Sequence, residues 1–237
     1  MVTRLLRARA ASPKPALPAV AAAGTAPRLP ARVRIVGGQW RRTVLPVLPV
    51  VGLRPTPDRV RETLFNWLGQ DLTGWRVLDL FAGTGALGFE AASRGAHEVT
   101  VVERHPELLA ALEALRKRLD ARQVTIEAGD ASLILSRLVQ RVAQHHAPAF
   151  DLVLLDPPFG SDWAERVRPQ LASLLVARGW LYLEADYALE RAPAIRQAWQ
   201  QAGFSLVRAG SAGRVHYHLL QFQSSDRHED SGLPGNI

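Results

Sequence analysis

Cysteine is absent from this 237-residue chain. That excludes disulfides, thiolate zinc sites, iron–sulfur clusters and thiol nucleophiles together, and it suits a reducing compartment such as the cytoplasm. No run of eighteen or more apolar residues is present, so no membrane-spanning helix is expected. Negative charge is missing locally: the first acidic residue is Asp58, and ten basic residues precede it. Of the 29 basic residues, 19 remain beyond that point against 22 acidic ones, so the net charge of +7 combines a basic arm with a slightly acidic body. Such asymmetry marks a polyanion partner. The body has ordinary globular proportions, 47% hydrophobic and 22% charged, and can bury a core.

Pro13, Pro15, Pro18, Pro27 and Pro30 break residues 1–30 repeatedly, so a disordered basic arm is expected there, with neither a secretory signal nor a long transit-peptide helix. Residues 31–52 read as a hairpin extension: Val33 and Ile35, a Gly37-Gly38 turn, then Trp40, Val44 and Leu45. Residues 53–222 form the main domain. It opens with a helix capped by Thr56, started by Pro57 and ended by Gly69. Strands are expected at 77–81, 99–102, 124–127, 152–155 and 180–184, and helices near 86–94, 106–120, 131–145, 162–177 and 193–201. That alternation implies an α/β fold with a mostly parallel, doubly wound sheet. The last pair of strands, 204–208 and 215–222, is separated by only a short turn at Gly210–Gly213 and must be antiparallel. Residues 223–237 read as a flexible tail.

Where the first strand meets its helix stands Asp79-Leu80-Phe81-Ala82-Gly83-Thr84-Gly85-Ala86-Leu87-Gly88. Glycines let the backbone of Phe81, Ala82, Gly83, Thr84, Gly85 and Gly88 approach a ligand at a helix N-terminus. Gly83, Gly85 and Gly88 with Glu103 twenty residues later also satisfy a nicotinamide fingerprint. Asp79 favours another ligand, because a carboxylate there suits a methionine ammonium and would repel a pyrophosphate. Glu103, with Arg104 beside it, would accept from ribose hydroxyls, and Asp130-Ala131 would meet an adenine amino group. The expected cofactor is S-adenosyl-L-methionine. All three acids fall at the carboxyl ends of strands, the edge where open α/β sheets bind ligands.

The apolar strand at 152–155 runs directly into Asp156-Pro157-Pro158-Phe159. Two prolines fix two φ angles and so present the carbonyls and the Phe159 ring in set positions. An aromatic amine is a poor nucleophile, because its lone pair is delocalised into the ring. If Asp156 and the Pro157 carbonyl accept its two N–H bonds, the lone pair can face a sulfonium methyl. Phe159 would stack on a base taken out of its helix. These residues point to methyl transfer onto a planar exocyclic amine.

Together with Arg34-Ile35-Val36-Gly37-Gly38-Gln39-Trp40-Arg41 and the block from Gly52 to Leu68, these motifs make residues 32–222 resemble the guanine-966 N2-methyltransferases of 16S rRNA. The resemblance implies a Rossmann-like class I methyltransferase core, an N-terminal hairpin that helps grip RNA, and a guanine held by Asp156, Pro157 and Phe159. It further implies that the substrate is 16S rRNA in assembling small subunits, with the enzyme a cytoplasmic monomer. Arg34, Arg41, Arg42 and Arg54 are the phosphate-pairing candidates, with Thr56 and Arg59 in the same block. Trp40 would either stack on a base or pack on the core. Arg59 and Arg61 also read as surface charges on the helix, and His216 with His218 lacks a third ligand, so no metal is expected. The alternatives are amino-methylation of adenine in DNA or of a protein glutamine, a nicotinamide oxidoreductase, and an RNA-binding protein with a relic cofactor site.

Overall fold

A computed structural model describes residues 32–50 and 52–223. The expected arm at 1–30 and all but the first residue of the tail lie outside these residues. Two short strands, β1 (Val33–Arg34) and β2 (Val44–Leu45), pair antiparallel. Then follow α1 (Asp58–Trp67), β3 (Arg76–Asp79), α2 (Ala86–Ser93), β4 (Glu98–Glu103), α3 (Pro106–Arg118), β5 (Val124–Ala128) and α4 (Ala131–Ala143). The second half comprises β6 (Phe150–Leu155), α5 (Trp163–Leu171), β7 (Leu175–Ala185), α6 (Pro193–Gln201), β8 (Phe204–Ala212) and β9 (Val215–Phe222).

The seven-stranded sheet runs β5-β4-β3-β6-β7-β9-β8, with β9 antiparallel to both neighbours. From β3 the chain winds outward to β5 and then returns to β6 on the other side of β3. That reversal opens a crevice at the carboxyl ends of β3 and β6. One face of the sheet packs against α1, α2 and α3, and the other against α4, α5 and α6. Leu152–Leu155 and Val77–Asp79 are almost fully buried, as central parallel strands covered on both faces must be. No helix among the described residues is long and apolar enough to cross a membrane.

Two element boundaries and two side-chain roles differ clearly from the sequence expectation. The helix expected to reach residue 177 stops at Leu171, and β7 already begins at Leu175. Leu171, Leu174 and Leu175 have helical spacing, but Pro169 weakens the helix and Leu175 pairs instead with Phe150. The final turn is at Gly213-Arg214 rather than Gly210–Gly213, since β8 and β9 pair as far as Ala212 and Val215. Thr56 does not cap α1: Pro57 occupies the cap position and no side chain caps it. Arg61 is not a surface charge but is fully buried, bound to Asp58 at 2.6 Å and Glu90 at 3.0 Å.

The hairpin is fastened to the C-terminal end of α2. Buried Glu90 accepts from the backbone of Val36 and Gly37 at 2.8 and 2.7 Å, and also from the side chains of Arg61 and Arg94. Ser93 Oγ accepts from Trp40 N and donates to the Gly37 carbonyl. Gly38 is required here: its φ is +71°, and a Cβ would lie 1.9 Å from the Ser93 carbonyl oxygen. Val33, Ile35 and Leu45 are buried in the same core as α1 and α2, so the hairpin is an integral part of that layer.

Candidate active site

The crevice is a cavity of about 260 Å³, walled by the segments that follow β3, β4, β5, β6 and β7. The connection at residues 52–57 also lines it, and Leu53 lies close against the glycine loop. Of the residues singled out for a cofactor, Phe81, Ala82, Gly83, Thr84, Glu103, Arg104, Asp130, Ala131 and Asp156 all line this space. Asp79, Gly85 and Gly88 are not on the wall and stand behind the loop.

Asp79 Oδ2 accepts from Gly88 N at 2.9 Å and ties the loop to α2. A Cβ on Gly88 would lie 2.6 Å from Val101 Cγ1 and 3.1 Å from that carboxylate oxygen, which is why glycine stands there. Asp79 Oδ1 is buried with no partner, and burial pushes the carboxyl up to about 7. Glu103 accepts from Gly83 N at 2.9 Å and from the Arg104 and His105 backbone at 2.8 Å each. Three of the roughly four lone-pair sites of a carboxylate are thereby used, leaving one on Oε2 for a ribose hydroxyl. Asp130 caps α4 by accepting from the backbone and hydroxyl of Ser132, and those bonds lower its pKa. Arg104 stands 3.9 Å from Asp130, at the mouth. Glu103 and Asp130 on the wall suit a ligand with ribose hydroxyls and an aromatic amine and would repel a pyrophosphate, whereas Asp79, expected to face an ammonium, does not reach the wall and holds the loop instead. The residues therefore fit S-adenosyl-L-methionine.

Asp156 sits one step beyond the last paired residue of β6. Burial raises its pKa well above the usual carboxylate range, and the neighbouring Glu184 raises it further. The Thr56 hydroxyl donates to Asp156 Oδ2 at 3.1 Å, so the side chain freed from capping duty serves this carboxylate. Phe159 is 51% exposed at the rim, a large apolar ring with one face available. The Arg54 guanidinium lies 5.8 Å from its centroid. Ser161 closes the turn by donating from both its backbone and its hydroxyl to the Pro158 carbonyl.

The residues singled out for RNA separate into two groups. Arg54 and Thr56 are at the cavity, but Thr56 is only 5% exposed and faces Asp156. Arg34, Trp40, Arg41 and Arg42 are on the hairpin at the opposite end of α2. There Arg34 pairs with Asp58 at 2.9 Å and Trp40 packs on the core, while Arg41 and Arg42 remain exposed. Arg59 is exposed on α1. His218 is buried, with Nε2 accepting from Leu189 N at 3.1 Å and Nδ1 3.3 Å from the Leu183 carbonyl, so it serves the core.

Sequence reasoning did not single out Glu184, nor Trp163, nor the Tyr187–Glu165 pair bonded at 2.6 Å, all of which line the cavity. Glu184 had a signal: an acid terminating an apolar strand next to the strand that carries Asp156. Trp163 meets Phe81 edge to face at 5.1 Å and gives the cavity an aromatic wall.

Residues 33–221 match the family model described as "Conserved hypothetical protein 95". The Escherichia coli (strain K12) ribosomal RNA small subunit methyltransferase D is 40% identical over 190 residues, covering 80% of this chain and 90% of that protein. The Haemophilus influenzae protein of the same name is 38% identical over 196 residues, with 82% and 96% covered. Among solved structures, the Escherichia coli protein yhhF, described as a methyltransferase, superimposes with a TM-score of 0.65 at 34% identity, covering 81% of this chain and 98% of that one. A mostly parallel sheet closed by an antiparallel strand pair, an acid-lined cofactor crevice and matches of this extent lead to one conclusion: the chain belongs to the ribosomal RNA small subunit methyltransferase D family and has the Rossmann-like methyltransferase fold.

Proposed function

We propose that this protein methylates the exocyclic N2 of one guanine in 16S rRNA, acting as a cytoplasmic monomer on assembling small ribosomal subunits. Family membership carries the coarser statement: the chain is an rRNA methyltransferase, and its cofactor is S-adenosyl-L-methionine. The observation that supports the finer reading is Asp156-Pro157-Pro158-Phe159 at the rim, with a half-buried carboxylate at one end and an exposed aromatic ring at the other.

When bound, the cofactor supplies a methyl group on a sulfonium. The chain's own residues do the rest. Phe159 stacks on the flipped base and thereby fixes the plane of its amine. Asp156 and the Pro157 carbonyl accept the two N–H bonds, which turns the nitrogen lone pair toward the cavity. Residues 52–57, on the cavity wall, keep water out of the space between base and glycine loop. Arg41 and Arg42, a helix length away, hold rRNA phosphates beyond the target nucleotide.

Transfer of a labelled methyl group to small subunits, followed by nucleoside analysis, tests the reading. N2-methylguanosine is expected. Labelled N6-methyladenosine, or transfer to protein glutamine, would overturn it.

A further inference from the structure

Glu184, at the carboxyl end of β7, takes no part in the reaction described above. Leu155 of β6 pairs with Leu183 of β7, so the next residues along, Asp156 and Glu184, lie side by side with their side chains on one sheet face. Glu184 is on the cavity wall yet only 8% exposed. The Tyr182 hydroxyl donates to its Oε1 at 2.8 Å, while the Thr56 hydroxyl donates to Asp156. The two acids therefore stand as neighbours, Glu184 held by the Tyr182 hydroxyl and Asp156 by the Thr56 hydroxyl.

We propose that Glu184 accepts the N1–H of the target guanine and so determines which purine is methylated. The inference rests on the guanine reading above. Guanine presents adjacent donors, N1–H and the N2 amine, and two neighbouring carboxylates complement both. Adenine presents its amine beside the N1 lone pair, which Glu184 would repel. Burial raises both carboxyls and Glu184 raises Asp156 further, so a ligand bringing two N–H donors relieves more than one bringing a single donor. A site built to bond a donor rejects an analogue lacking it, because its own buried group is left unpaired.

The test uses small subunits reconstituted with rRNA carrying guanine or 2-aminopurine at the methylated position. 2-Aminopurine keeps the reacting amine but has a lone pair at N1. For the unaltered enzyme, kcat/KM should favour guanine by about a hundredfold or more. Glu184→Gln, whose amide can offer either its oxygen or its NH₂, should bring the ratio to within about fivefold. The O6 contact that 2-aminopurine also lacks is common to both proteins, so the change in ratio isolates N1. Tyr182→Phe keeps the carboxylate and should keep the preference for guanine. An unchanged ratio in Glu184→Gln overturns the proposal, as does equal use of both substrates by the unaltered enzyme. Should the Gln variant fail to bind cofactor in calorimetry, Glu184→Asp, whose shorter carboxylate withdraws from N1, takes its place: the ratio should narrow, and an unchanged ratio overturns the proposal. No transfer to the guanine-bearing subunit would instead defeat the guanine reading itself.

Discussion

Glu90 is a sealed carboxylate and Asp156 a half-buried one on the cavity wall, and they have opposite surroundings. Glu90, at the C-terminal end of α2, is surrounded by donors: two backbone N–H groups of the hairpin and the guanidinium groups of Arg61 and Arg94. At the other end of the sheet, Asp156 has one hydroxyl donor and Glu184 as a like-charged neighbour, and Asp79 keeps one oxygen with no partner. A buried carboxylate with a full set of donors acts as a fastener. One left short of donors carries an unmet desolvation cost that a ligand can remove. The same residue class thus builds the hairpin joint at one end and the reaction site at the other.

Breaking the fastener should have the largest effect. Glu90→Ala leaves the fully buried Arg61 without one carboxylate partner and frees two hairpin N–H groups. We expect a loss of about 3–5 kcal/mol in denaturant unfolding. A loss below about 1 kcal/mol would mean that water replaces the partners.

Asp156→Ala removes an acceptor that acts on the reacting amine. Methyl transfer should fall by about 10²–10³-fold while calorimetric cofactor affinity stays within about threefold. Loss of cofactor binding in proportion to activity would move Asp156 from the reaction to the cofactor site.

The donor-poor end should also destabilise the cofactor-free protein as the pH rises. Asp79 has a folded-state pKa raised to about 7, so the folded chain holds its proton more tightly than the unfolded chain does. Its contribution is complete below about pH 4 and is lost as the pH rises through about 7, a change of roughly 2–4 kcal/mol. Thermal unfolding of the cofactor-free protein from pH 5 to 8 should show this decline. Asp79→Asn should flatten it, and saturating cofactor should reduce it. A decline equally steep in Asp79→Asn would assign it to Asp156 and Glu184.

The smallest effects belong to the hairpin surface. Arg41→Ala and Arg42→Ala should each reduce the slope of log affinity for RNA against log salt by about one, with folding unchanged. These substitutions separate RNA contact from stability better than deleting residues 1–52, which would also remove Val33, Ile35 and Leu45 from the core.

Most of the fold could be read from periodicity, because parallel strands buried on both faces leave unbroken apolar runs such as Leu152–Leu155, and acids ending those runs mark the ligand edge. Reading failed where one side chain had two possible partners. Thr56 has the composition and position of a helix cap, yet its hydroxyl goes to Asp156, a hundred residues away. Arg61 has the spacing of a surface charge on α1, yet Glu90 draws it inside. Leu175 continues a helical pattern, yet Phe150 pairs with it in the sheet.

By itself, the sequence determined the alternation of strands and helices, the glycine loop, the acids at the strand ends and the Asp156–Phe159 segment, because each follows from neighbours within a few residues. Only the tertiary structure decided that Asp79 stands behind the loop, that the basic hairpin is anchored a helix length from the cavity, and that Glu184 lies beside Asp156. Those relations depend on strand order and register, which bring distant residues together through backbone pairing that no local pattern records.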